Sequence, residues 1–114
     1  MLTENVFKKI IDREIPVPLL YDDADCIAFA DINPQAPVHI LIIPRRVIRT
    51  HDDLTDGDAA LVGKMHLIAV KLAKQFGLDS GYRLTINCKE DGGQTVPHLH
   101  MHLMGGRALG WPPG

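Results

Sequence analysis

The stretch VPHLHMHLMGG, residues 96–106, sets His98, His100 and His102 at alternate positions with only Leu99 and Met101 between them. Half of the chain's six histidines therefore fall within five residues. In an extended strand successive side chains point to opposite faces. The three imidazoles then share one face, while Pro97, Leu99, Met101 and Leu103 share the other, where they can pack on a core. At about 3.3 Å rise per residue the outer two Cα atoms lie only about 13 Å apart, so the rings form a contiguous row.

Immediately upstream, GYRLTINC (81–88) predicts a strand and KEDGGQT (89–95) a glycine turn into the histidine strand. Parity places Leu84, Ile86 and Cys88 on one side and Arg83, Thr85 and Asn87 on the other. If the hairpin register aligns the polar side with the histidines, Asn87 lies near the row. Gly92 and Gly93 suit a tight turn, and their missing Cβ atoms would also let backbone N–H groups approach an anion.

Farther out, HILIIP (39–44) is apolar at successive positions, as expected of a strand buried on both faces. LLY, the acidic turn DDAD and CIAFADI (19–32) predict two strands joined by a hairpin. From Thr55 to Phe76 the residues Leu61, Met65, Ile68, Leu72 and Phe76 recur at helical spacing, and Gly77 ends the pattern. A short helix near the N-terminus, capped by Thr3, carries Val6, Phe7, Ile10 and Ile11 and stops before Pro16 and Pro18. Its expected role is to dock on the core. This order predicts an α+β fold: a mostly antiparallel sheet of about five strands with one long and one short helix. The 114 residues fit one domain, 1–114, with 107–114 as an irregular, proline- and glycine-rich tail.

Fourteen acidic against twelve basic residues leave a formal charge of -2, without the basic excess that favours a nucleic-acid backbone. Cys26 and Cys88 are too few for a disulfide framework or thiolate cage and are expected as free, buried thiols. There is no signal-peptide pattern and no apolar run of membrane-spanning length, so a cytoplasmic location is expected, with neither nucleic acid nor membrane as partner. His51 and His66 have no polar constellation around them and are expected to be solvated or structural.

Three uses suit a row of imidazoles. Neutral rings can ligate zinc or copper, but no acidic or cysteine residue stands at obvious ligand spacing to this strand. A purely structural row would have to satisfy three polar rings or tolerate their mutual repulsion. Chemistry at phosphorus uses the rings best: a neutral imidazole is a good nucleophile near pH 7, and neighbouring rings and amides can stabilise phosphoryl oxygens. Mutual repulsion predicts a lowered pKa for the middle ring.

The pattern HLHMHLM (98–104), together with IIDREIP, DINPQAPVHILIIP, GYRLTIN, DGGQTVPHLHMHLMGGR and the terminal WPPG, resembles the histidine triad superfamily over nearly the whole chain. Within it the similarity is to the histidine triad nucleotide-binding (Hint) branch. The resemblance implies a homodimeric purine nucleoside phosphoramidase without cofactor or metal. In it His100 attacks the α-phosphorus of an adenosine or guanosine 5'-phosphoramidate, expels the amine and forms a nucleotidyl-histidine that water hydrolyses. It further implies that His102 binds phosphate, that His98 supports the middle ring and that His39 is the fourth histidine of the site. Asp31 and Ile32 match residues that hold ribose and base; Asn87, Gly93, Gln94 and Thr95 match the phosphate side. Trp111, in the tail, matches a contact to the other subunit's site.

Two positions depart from the family's pattern. Thr95 stands where serine is frequent, which adds a methyl and stiffens χ1. Pro97 stands where an aromatic residue is common and removes a backbone donor before the row, with substrate preference as the expected casualty. The alternative from another class is a nucleotide-binding regulatory or scaffold protein with little turnover, although a pure binder needs no nucleophile.

Overall fold

The computed structural model of the chain describes residues 4–114. It contains α1 (Val6–Ile11), β1 (Tyr21–Asp22), β2 (Cys26–Ala30), β3 (Val38–Pro44), α2 (Ala59–Gln75), β4 (Tyr82–Thr85) and β5 (Met101–Gly105). The five strands form one sheet in the order β1-β2-β3-β5-β4 with every pairing antiparallel, the expected α+β architecture. The carboxylate of Asp23 accepts the N–H groups of Asp25 (2.8 Å) and Cys26 (2.9 Å), which folds the acidic turn between β1 and β2.

β2 and β3 bury both of their faces, as their unbroken apolar runs require. On one face Cys26, Ala28, Ile40, Ile42, Met101 and Leu103 pack with Met65, Ile68, Ala69, Leu72 and Ala73 of α2. On the other, Ile27, Phe29, Leu41 and Ile43 pack with Phe7 of α1, flanked by Val6 and Ile10. The short helix covers only part of this second face. Its Phe7 also reaches the rings of His98 and His100, which are buried beside it.

Several local expectations are corrected. The Thr3 cap lies outside the described residues, and the helix is instead capped by Asn5, whose side chain accepts the Lys8 N–H. The long helix begins at Ala59 because Asp58 accepts the Thr55 N–H at 2.9 Å and tightens residues 56–58 into a 3-10 turn. Phe76, read as part of its apolar stripe, follows the last helical residue and is exposed. β4 stops at Thr85, three residues short of the predicted strand. Cys26 is a buried free thiol whose pKa burial raises to about 11, whereas Cys88 is free but only half-buried.

Candidate active site

The β-ladder through β5 begins only at Met101, so His98, Leu99 and His100 lie before it. Their backbone and ring groups find other partners: the Leu99 N–H donates to the Ile48 carbonyl at 2.6 Å, and His98 Nε2 lies 2.7 Å from the Pro44 carbonyl. The predicted alternation nevertheless persists. Leu99, Met101 and Leu103 are buried in the α2 core, and the three imidazoles turn to the α1 side. The ring centroids of His100 and His102 are 5.0 Å apart.

Register fixes the rest of this face. Leu41 of β3 is opposite His102, so His39, two residues earlier, shares its side of the sheet. Thr85 of β4 is also opposite His102, and Leu84 is opposite Leu103. The polar side of β4 therefore does continue the histidine side, which is where parity directs Asn87. Asp31, just past β2, completes the group: its Oδ2 lies 3.5 Å from His39 Nε2.

Hydrogen bonds determine which nitrogen of each ring carries the proton. The Gln35 N–H donates to His39 Nδ1 at 3.0 Å, which requires a lone pair there and puts the proton of a neutral ring on Nε2. His39 Nε2–H then donates to His102 Nδ1 at 2.9 Å. Neutral His102 must therefore carry its own proton on Nε2, and that atom is buried without a hydrogen-bond partner among the described residues. His100 Nδ1–H donates to the carbonyl of His98 at 2.7 Å, leaving a lone pair on His100 Nε2. A lone pair and an orphaned N–H thus belong to adjacent rings.

All three triad rings are held below the ordinary histidine pKa, in every case chiefly by burial. His102 is pushed down to about 4, with repulsion from His100 and His39 adding to desolvation. For His100 the direction is the expected one but the cause is different. Desolvation depresses it, while its bond to the His98 carbonyl and the charge of Asp31 oppose the shift; charge crowding by its neighbours is not what keeps it neutral.

The remaining expected residues sort by exposure. Ile32 is 97% and Trp111 83% exposed, large apolar groups open to contact. Thr95 and Gly93 are exposed on the loop before the triad, and Asn87 is half-buried. Gly93 has φ +82°, which strains any side-chain-bearing residue, but its N–H donates to the Glu90 carbonyl and closes the turn. A Cβ on Gly92 would lie 2.4 Å from the Cys88 carbonyl oxygen. Both glycines therefore shape the loop; an amide cradle from Gly93 is not what this turn presents. Gln94 is likewise internal. Buried, it donates to the carbonyls of Arg49 (2.7 Å) and Val96 (2.9 Å) and accepts from the Lys89 N–H, which pins the loop in place.

Phe7 of α1, which the sequence pattern assigned only to docking, and Asn5, the cap of that helix, which the pattern did not single out, join the site. Phe7 sets its ring edge-on to His100, with centroids 4.9 Å apart, and Asn5 reaches His98. A periodicity argument identifies the buried side of a helix but not what it touches. The structure also corrects the expectation that no acidic residue stands at ligand spacing: donor atoms of Asp31, His39 and His102 all lie within 4.8 Å of one another and could hold a metal ion. To enter, a metal would have to displace the proton between His39 and His102.

A five-stranded antiparallel sheet carrying alternating histidines against a fourth histidine and an aspartate defines the class, and residues 12–109 match the family model described as HIT domain. The chain belongs to the HIT family. It is 51% identical, over the full length of both chains, to an uncharacterized HIT-like protein of Synechococcus elongatus. Among solved structures, a HIT family hydrolase from Legionella pneumophila superposes with a TM-score of 0.95 at 46% identity, covering 97% of this chain and 100% of that one. A histidine triad nucleotide-binding protein from Candida albicans gives 0.80 at 31% identity over 96% and 83% of the respective chains.

Proposed function

We propose that the protein is a hydrolase acting on the P–N bond of purine nucleoside 5'-phosphoramidates, with His100 as nucleophile. The observation that carries this is the pairing of a lone pair on His100 Nε2 with an unsatisfied N–H on His102 Nε2 in the neighbouring ring. A nucleophile needs the first, and a phosphoryl oxygen would satisfy the second. In the first step His100 Nε2 bonds to phosphorus, the P–N bond breaks, and the amine leaves with its electron pair and takes up a proton. In the second, water oxygen bonds to phosphorus, the P–Nε2 bond breaks, and the water's proton is released. His39, held by Gln35, keeps His102 in the tautomer that donates to the phosphoryl group throughout.

Asp31 retains acceptor capacity for ribose hydroxyls beside its bond from the Asn33 N–H, and the exposed Ile32 offers an apolar face to a purine. The names of the relatives support both halves, one structure being called a hydrolase and another nucleotide-binding. The same proposal includes a homodimer in which Trp111 of one subunit reaches its partner's site. A cytoplasmic setting is likewise proposed; no helix among the described residues is long and apolar enough to cross a membrane.

The test is His100→Asn assayed with an adenosine phosphoramidate. Turnover is expected to vanish while monophosphate affinity stays within about tenfold, or about 1.4 kcal/mol. Turnover that survives the change refutes His100 as nucleophile. An unaltered protein that binds the monophosphate yet hydrolyses no phosphoramidate is instead a nucleotide-binding regulator.

A further inference from the structure

Asn5 has no part in the reaction described above, yet its side chain makes two hydrogen bonds of opposite sense. Oδ1 accepts the Lys8 N–H at 3.0 Å and caps α1. Because the backbone N–H can only donate, this bond fixes which end of the amide is oxygen, so Nδ2 is the end that lies 2.9 Å from His98 Nδ1. An amide N–H aimed at Nδ1 requires a lone pair there. The proton of His98 therefore sits on Nε2, where the Pro44 carbonyl accepts it at 2.7 Å. Two partners from separate segments, the cap of α1 and the last residue of β3, demand the same tautomer of one fully buried ring.

The consequence reaches the reacting nitrogen through one covalent segment. With its ring held at both nitrogens, His98 has its backbone fixed, and its carbonyl is the acceptor for His100 Nδ1–H. Two residues along α1, Phe7 sets its ring edge-on to His100, so cap and packing come from the same turn of chain. We infer that Asn5 is a positioning residue: it couples the start of α1 to the triad by holding His98 neutral with its proton on Nε2, and so aims the carbonyl that turns the lone pair of His100 outward. The link to turnover rests on the proposed role of His100. The tautomer of His98 does not.

Two variants separate this role from simple helix capping. Aspartate and serine are both good N-caps, so Asn5→Asp and Asn5→Ser keep the bond to Lys8; Asn5→Asp removes the donor to His98, and Asn5→Ser replaces the amide donor with a hydroxyl on a shorter side chain. Aspartate goes further and presents an anion to Nδ1, which draws a second proton onto the ring.

The experiment records side-chain nitrogen-proton correlation spectra of protein labelled with 15N-histidine, alongside kcat and KM for an adenosine phosphoramidate. Unaltered protein is expected to show His98 protonated on Nε2 alone at pH 7 and above. In Asn5→Asp the His98 pKa is expected to rise by at least one unit and kcat to fall about tenfold, with KM within threefold and the thermal midpoint unchanged. Asn5→Ser is expected to keep the Nε2 proton, which the Pro44 carbonyl still accepts, without gaining charge, and to lose less kcat than Asn5→Asp. His98 protonated on Nδ1 in the unaltered protein would overturn the inference, as would an Asn5→Asp variant with unchanged His98 spectra and kcat. If the unaltered protein turns over no phosphoramidate, the proposed activity fails, while the tautomer spectra still decide the role of Asn5.

Discussion

Lowering the pH from 7 to 5 should destabilise this protein through its histidines, before its carboxylates take part. The unfolded chain presents His102 with an ordinary value of 6.5, and the fold pushes it down to about 4 because the buried ring is desolvated and faces two other imidazoles. A group depressed in the folded state contributes stability that is complete above its unfolded pKa and is lost as the pH falls toward the folded one. The window is thus 6.5 down to about 4. At about 1.4 kcal/mol per pH unit, the descent from 6.5 to 5 would cost about 2 kcal/mol for a fully desolvated ring, and partial exposure reduces this to about 1–2 kcal/mol. Burial of His98 and His100 acts in the same direction. Asp23 is different: burial opposes it, but bonds from Lys64, Tyr21 and two backbone N–H groups hold it well below the usual carboxylate range, so its contribution fades only in stronger acid. The assay is urea unfolding followed at both pH values. With a slope of about 1–3 kcal/mol/M for a domain of this size, the midpoint should fall by about 0.3–2 M, and His102→Gln should shrink that fall. A midpoint that is flat or rises from pH 7 to pH 5 would refute the reasoning.

Other expectations follow from the loop and the site. Gly92→Ala brings a Cβ to within 2.4 Å of the Cys88 carbonyl, which backbone cannot easily yield, whereas Gly93→Ala meets open space and suffers only its φ of +82°. Thermal melts should show a loss of about 1 kcal/mol for the second and a larger one for the first. Phe7→Ala removes a buried ring that contacts Phe29 and His100, and should cost about 3–5 kcal/mol by chemical unfolding while lowering turnover in whatever fraction remains folded. Dialysis against a chelator should leave phosphoramidate turnover unchanged; loss of turnover restored by zinc would make Asp31, His39 and His102 a metal site rather than a hydrogen-bonded group.

Period-2 alternation was enough to place the histidines together and their intervening residues in the core, even though half of the segment lies outside the ladder. It succeeds there because burial of Leu99, Met101 and Leu103 enforces the parity that strand pairing would otherwise impose. The unbroken apolar run of β3 likewise disclosed a strand covered on both faces. Pairing register was not readable, since nothing local says that Thr85 rather than its neighbour opposes His102. For the same reason the contact between Asp31 and His39 could be expected from the family resemblance but not from spacing: Asp31 directly follows β2, His39 lies in β3, and the pairing of those strands brings them together. Gln94 and Gly93 carry a role that motif position did not signal, since their hydrogen bonds build the loop. Asn5 was missed because the sequence pattern puts the cap at Thr3, and nothing in the sequence signals either of the bonds that Asn5 makes.

The most direct measurement is mass spectrometry on protein quenched in alkali during turnover of an adenosine phosphoramidate, followed by digestion and sequencing of the modified peptide. One adenylyl group on His100, appearing within a single turnover and disappearing as monophosphate accumulates, is the predicted result. Monophosphate accumulating at full rate while His100 stays unmodified at every time point would contradict covalent catalysis by this ring.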